Sequence, residues 1–327
     1  MSAFDDVVAL LRAHPRVVVA CHEAPDGDAL GSLLGMGTAL ADAGWDVALW
    51  APGEAPLPAD YAWLGCDRAT RVPPEDLGER LLLALDCGSA ERLGAGGPAA
   101  VAGAAATANV DHHADNTRFA GVNAVDPDAA CTTVLVLRLL RLLGLPVSPV
   151  VAEALYVGIV TDTGRFMYAN ADPEAHAAAG ELIGLGVRPD AVFRRLYEDR
   201  PVARVRLLAR ALSTLDVRAG GRLAVACVSL ADLDQTGADE ADSEGVIDHL
   251  RAIRGVEVAA VIREPRAGGG VLKKASLRSA DPSVDVARIA HAGGGGGHAM
   301  AAGFAMEGSF ADVIALIEAE LGRGSGA

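Results

Sequence analysis

Four places in the chain gather residue types that can hold a metal ion or move a proton. "CHEAPDGD" supplies His22, Asp26 and Asp28, "ERLLLALD" ends on Asp86, "NVDHHADN" carries Asp111, His112 and His113, and "GIVTDTGRF" carries Asp162. The adjacent imidazoles alone are open to three readings: metal ligands, a catalytic pair, or polar residues of a surface loop. The carboxylates narrow the choice. Asp26, Asp28, Asp86 and Asp162 gathered in one crevice would repel one another unless protons or cations neutralised them. Two divalent cations balance that charge. Imidazole and carboxylate without thiolate suit a hard to borderline ion, Mn2+ first, with Mg2+ or Co2+ as substitutes. A metal pair roughly 3.5 to 4 Å apart activates water and stabilises both oxygens of an in-line displacement at phosphorus. The chemistry expected is metal-assisted phosphoester hydrolysis.

The elements that must position these residues follow from the apolar pattern. Short runs rich in Val, Leu and Ile alternate with longer segments of helical period, the mark of a doubly wound, mostly parallel sheet. "RVVVACH" reads as a strand, "ALGSLLGMGTALADAG" as the helix after it and "WDVALWAP" as the next strand. Further strands end at Asp86, at His113 and at Asp162, although the last could continue a helix begun near Val150. Ligands of open parallel sheets bind outside the carboxyl ends of the strands, so side chains far apart in sequence are expected to converge there. Gly27 reads as the tight turn between two carboxylates.

Composition sets the limits. A chain of 327 residues exceeds what one core usually supports, and 51% hydrophobic residues with only 4% aromatic suits an α/β protein. The expected organisation is an N-terminal domain over 1–190, a helical linker over 191–219 and a smaller α+β domain over 220–327, with an active-site cleft between the domains. In the smaller domain "RLAVACVSL", "VEVAAVIRE" and "GVLKKASLRSA" read as strands, and the closing "GRGSGA" as a disordered tail. A net charge of -15 opposes wrapping of long double-stranded nucleic acid. Five scattered cysteines without a CxxC pair point to a reduced, cytoplasmic protein. The first residues read as an amphipathic helix rather than a signal peptide, and "TTVLVLRLLRLLGLPV" is broken by Arg138 and Arg141, so no membrane role is expected.

The HxxxDxDxxGS pattern at His22 to Ser32, the lone Asp86, the triplet Asp111-His112-His113 and Asp162 resemble, in that order, the motifs of the DHH phosphoesterases. "GGGGGHAMAAG" at 293–303, with "SLRS" at 276–279 before it, is similar to the DHH-associated domain. Length and both domains resemble the NrnA-type subgroup of bifunctional oligoribonucleases and 3'-phosphoadenosine-5'-phosphate phosphatases. One departure is Phe304, where that motif leads one to expect a smaller residue. The resemblance implies that His22, Asp26 and Asp86 hold one metal ion. Asp28, Asp86, His112 and Asp162 hold the second, with Asp86 bridging. It also implies that His113 faces the scissile phosphate as hydrogen-bond donor or acid, while Asp111 orients an imidazole.

In the smaller domain the glycines allow close backbone approach and an anion-binding nest. Arg278 and His298, with Ser279 and the backbone of Gly295, Gly296 and Gly297, are expected to grip a phosphate. Short RNA, dinucleotides and 3'-phosphoadenosine-5'-phosphate are the substrates so implied. Cyclic or linear dinucleotides are the alternative, a nucleotide sensor without catalysis the remote one, and a homodimer is left open. His14, His176, His249 and His291 are read as surface or helix residues, Cys21, Cys87 and Ser32 as packing, and Arg165 as exposed.

Overall fold

The structure is a computed structural model that describes residues 2–281 and 283–324. It divides into two compact units, Met1–Asp199 and Arg200–Ala327. In the first, α1 (Ala3–Ala13) opens with a capping box in which the Ser2 hydroxyl accepts from the Asp5 amide and Asp5 accepts from the Ser2 amide. There follow β1 (Arg16–Ala20), α2 (Gly27–Asp42), β2 (Asp46–Trp50), β3 (Leu81–Leu85), α3 (Gly97–Gly103), β4 (Ala106–Asp111) and β5 (Val122–Val125). Then come α4 (Thr132–Leu143), α5 (Pro149–Asp162), α6 (Pro173–Gly184) and α7 (Pro189–Phe193).

The five strands run parallel in the order β2-β1-β3-β4-β5, as the alternating pattern led one to expect. The chain leaves β1 for β2 on one side and reaches β3 on the other, which opens a crevice at the carboxyl ends of β1 and β3. Val17, Val19, Leu81, Leu83 and Leu85 join one core, while Val18, Ala20, Leu82 and Ala84 join another on the opposite face. Burial on both faces explains why these strands read as unbroken apolar runs.

The segment ending at Asp162 is not a strand but the alternative the sequence left open, a helix begun near Val150. Pro149 at its first turn presets a helical φ, and its residues from Val151 to Val160 are buried on nearly every side except Glu153. Such a helix shows no polar stripe, so its periodicity resembles that of a buried strand. Its partner is α2, and glycines make the approach possible. A Cβ on Gly27 would lie 2.4 Å from Thr161 Oγ1, one on Gly31 2.5 Å from the Ala154 carbonyl oxygen, and one on Gly35 2.7 Å from Leu155. These glycines recur every fourth residue, so they share one helical face. Gly27 therefore sits in the first turn of α2 as a close-packing residue, rather than making the tight turn expected of it.

The second unit contains α8 (Val202–Ser213), β6 (Asp216–Arg218), β7 (Leu223–Val228), α9 (Leu230–Thr236), α10 (Val246–Arg251), β8 (Val258–Arg263) and β9 (Leu272–Ser279). It closes with α11 (Val286–Ala292), β10 (Gly296–His298), β11 (Ala301–Glu307) and α12 (Phe310–Gly324). Its sheet is mixed, in the order β10-β11-β9-β8-β7-β6. One face packs on α11 and α12 through Leu223, Val225, Val258 and Leu277. The other packs on α8, α9 and α10 through Ala224, Ala226, Ala259 and Val261. Within the stretch 191–219, α8 buries Leu207 and Ala211 in this second core. The tail expected to be disordered begins inside α12, and its last residues, 325–327, lie outside the described residues. Among the described residues no helix is long and apolar enough to cross a membrane.

Candidate metal centre and phosphate-gripping face

The loop after β1 brings in His22 and Asp26. His22 Nδ1 lies 2.8 Å from the Glu23 carbonyl oxygen, which can only accept, so Nδ1 carries a proton and Nε2 is the nitrogen that faces the acids. That Nε2 is 3.5 Å from Asp86 Oδ2 and 4.0 Å from Asp26 Oδ1. Asp26 caps α2, accepting from the Asp28 and Ala29 amides at 3.1 and 3.0 Å. Asp86 follows β3 with a positive φ of 56° at a buried, non-glycine position. Left-handed backbone there costs on the order of 1–3 kcal/mol and is the type of strain that functional sites hold. Thr132 Oγ1 at the start of α4 donates to Asp86 Oδ1 at 2.9 Å.

His112 and His113 extend from the end of β4. His112 Nε2 is 3.7 Å from Asp86 Oδ1 and 4.0 Å from Asp162 Oδ2, which α5 delivers at its carboxyl end. His113 Nδ1 donates to Asp111 Oδ1 at 2.8 Å. Asp111 is fully buried, and its other oxygen accepts from Asn116 Nδ2 at 2.6 Å. The structure thus gathers two compact donor groups, His22 with Asp26 and Asp86, and Asp86 with His112 and His113, each with ligand atoms within 4.8 Å of one another. Asp28 stands outside both groups. Its oxygens accept from the Thr132 and Thr133 amides at 2.7 and 2.9 Å. Asp162 stands outside them too, 4.0 Å from His112.

The electrostatics fit cations. Burial, and then the charges of Asp86, Asp162 and Asp26, push the Asp28 carboxyl well above its ordinary value. Burial also raises Asp162 to about 6, with Asp86 and Asp26 adding to the effect. Burial works against charge on Asp86 as well, but the surrounding His22, His113 and His112 hold that carboxyl below its ordinary value. The Asp111 hydrogen bond lifts His113 to about 9. Carboxyl groups whose ionisation burial and mutual repulsion oppose at Asp28 and Asp162, clustered with imidazoles, form a donor set suited to divalent metal.

Three supporting residues escaped the sequence reading: Thr132, Asn116 and Asn170. Asn170 Nδ2 donates to Asp162 Oδ2 at 3.2 Å. Asn116 was legible in principle, since it closes the "NVDHHADN" stretch itself. Thr132 lies 46 positions from the Asp86 it holds, with no local signal, whereas Asn170 stands only eight residues after Asp162.

In the second unit the register places His298 opposite Ala301, Ala301 opposite Arg278 and Arg278 opposite Ala259. Paired residues share a sheet face, so Arg278 and His298 stand in one row with a small alanine between them. Ser279, expected beside Arg278, points to the opposite face. It is 1% exposed and its hydroxyl donates to the Asp281 carbonyl at 2.6 Å. Successive strand residues alternate faces, and Ser276 is the serine on the Arg278 side. Gly295 and Gly297 pack closely on β11, where added Cβ atoms would lie 2.1 Å from the Gly303 carbonyl oxygen and 2.5 Å from Ala302 Cα. Gly296 between them is half-buried. The unexpected Phe304 is buried, and a Cβ on Gly293 would lie 2.3 Å from its ring.

Residues 16–159 match the DHH family, N-terminal domain, and residues 220–323 match the DHHA1 domain. Bifunctional oligoribonuclease and PAP phosphatase NrnA of Thermus thermophilus is 34% identical over 321 residues, 94% of this chain and 90% of that protein. The chain belongs to the DHH family of phosphoesterases. As a member it is a hydrolase of phosphoester bonds. A probable bifunctional oligoribonuclease and PAP phosphatase NrnA of Streptococcus mutans is 24% identical, with 93% of each chain covered. An exopolyphosphatase-related protein from Bacteroides fragilis shares the fold with a TM-score of 0.89, over 98% of this chain and 96% of that one, at 24% identity. Exonuclease RecJ, in a structure bound to manganese, shares it with a TM-score of 0.54 at 18% identity, over 99% and 95% of the two chains.

Proposed function

We propose that the first unit holds two divalent cations, Mn2+ first and Mg2+ or Co2+ as substitutes. His22, Asp26 and Asp86 would hold one, and Asp28, Asp86, His112 and Asp162 the other. When bound, such a pair supplies an activated water and neutralises charge on the oxygens of an in-line displacement. The chain's own residues do the remainder. Thr132 pins the shared Asp86. Asp111 engages Nδ1 of His113, which turns the far side of that ring toward a substrate's leaving oxygen as hydrogen-bond donor. Arg278 and His298 grip a second phosphate on the substrate, which favours short chains by positioning.

The substrates proposed are short oligoribonucleotides, cut to mononucleotides, and 3'-phosphoadenosine-5'-phosphate, which loses its 3'-phosphate. The relatives named for those activities support this reading. The cysteines Cys21, Cys66, Cys87, Cys131 and Cys227 are all free, in keeping with a cytoplasmic site of action. The observation that carries the proposal is the convergence of His22, Asp26, Asp86 and His112 at the switch point of the parallel sheet. The test is a parallel rate comparison on 3'-phosphoadenosine-5'-phosphate, RNA dimers to pentamers, and cyclic and linear diadenylate, with Mn2+ and with chelator. Metal-dependent turnover of the first two above the diadenylates is expected. A preference for cyclic diadenylate would replace the substrate assignment, and no turnover in any metal would remove the catalytic one.

A further inference from the structure

A cavity of about 330 Å³ in the second unit is bounded by Arg263, Arg278 and Ser276 of the sheet and by Ser243, Glu244 and Asp248 at and before α10. Arg263 is fixed in place, donating to Ser243 Oγ and Ser276 Oγ at 3.0 Å each. Arg278 gives a single hydrogen bond, to the Leu277 carbonyl at 3.0 Å, so most of its donors are uncommitted among the described residues. The Glu244 carboxylate accepts nothing there, and Asp248 has a distant ion-pair partner in Arg251 at 3.8 Å. Two arginines and two acidic residues are among those that line it, so the cavity is formally neutral. A free anion would meet the acids, and a cation would meet the arginines. A neutral ring with donors and acceptors along its edge meets both, and Ile247 and Val261 offer it apolar contact.

We infer that this cavity receives a nucleobase of the substrate and selects bases that carry an exocyclic amino group. Guanine presents O6 and N7 to a guanidinium and its amino group to a carboxylate, and adenine and cytosine set an amino donor beside a ring acceptor. Uracil has no amino group to offer. Arg278 also belongs to the row of His298, so one nucleotide could lay its phosphate along that row and its base against α10. Planar guanidinium groups can also stack on bases, which suits a cavity without aromatic walls. The inference rests on the proposed reading only in taking the substrate to be a nucleotide.

The test is equilibrium binding of GMP, AMP, CMP and UMP to the full chain by calorimetry, with chelator present so that binding is read apart from turnover. UMP is expected to bind about ten-fold or more weakly than GMP, and Glu244→Gln with Asp248→Asn should shrink that ratio to about two-fold. Equal binding of all four, no binding of any, or an unchanged ratio in the double variant would overturn the inference. Should the double variant fail to fold, Ile247→Trp, which fills the cavity, is expected to weaken all the purine and cytosine nucleotides, and unaltered affinities would overturn it equally. Hydrolysis of bis(p-nitrophenyl) phosphate with Mn2+ separates the two ideas. Hydrolysis with unranked binding removes the base cavity alone, whereas ranked binding without hydrolysis removes the phosphoesterase reading alone.

Discussion

The acidic cluster of the first unit and the basic face of the second treat their polar groups in opposite ways. In the cluster nearly every proposed ligand has another partner behind it: the Glu23 carbonyl for His22, α2 amides for Asp26, α4 amides for Asp28, Thr132 for Asp86 and Asn170 for Asp162. On the basic face Arg278 gives one backbone hydrogen bond, and His298 has no side-chain partner among the described residues. A site for cations must be set in advance, because coordination tolerates little displacement and its clustered negative charge resists assembly. The face proposed to grip a phosphate keeps its donors uncommitted, which would leave more of their interaction energy for a ligand.

The sharpest way to break this contrast is Asp86→Ala. It should remove activity and lower bound metal, read by elemental analysis, because one carboxylate serves both proposed ions; near-normal turnover would sink the two-metal assignment. His113→Gln comes next, with an expected fall in kcat of about 10²- to 10⁴-fold and metal content retained. If metal were lost instead, the compact group of Asp86, His112 and His113 would be a ligand set in its own right. Asn116→Ala probes the layer behind, through Asp111. A loss of about 10- to 100-fold in kcat is expected, with KM little changed, and wild-type kinetics would reduce Asn116 to a loop residue.

Arg278→Ala tests the other side of the comparison. KM should rise about ten-fold while metal content and kcat stay near normal, and loss of metal would show that the two regions are not separate in role. The smallest effect concerns the scaffold. Gly31→Ala forces a Cβ toward a backbone carbonyl between α2 and α5, so a loss of about 1–3 kcal/mol in stability is expected from denaturant unfolding. An unchanged midpoint would show that the helices can separate without penalty.

Much of this site was legible before folding. His22, Asp26, Asp86 and His112 stand out because ligand-type residues close apolar runs, and parallel topology makes such ends converge. Asp162 was read correctly as a residue at the end of a buried element, but the element is α5, since a helix buried all round has no polar stripe to betray it. Ser279 was misplaced because a tetrapeptide read as a motif hides the alternation of a strand, which turns neighbours to opposite faces. Phe304 looked like a departure from pattern, but it is buried, with its ring beside Gly293 and its Cβ beside Gly295.

By itself the sequence determined which residue types end which strands, the doubly wound class of the first unit and the family to which both units belong. These depend on local periodicity and on motifs a few residues long. Only the tertiary structure decided that Thr132 and Thr133 hold Asp28 and Asp86, that glycines of α2 let α5 deliver Asp162, and that Arg278 and His298 share a row. Those relations join positions far apart in the chain, and they are settled by strand register and by how closely two helices can pack.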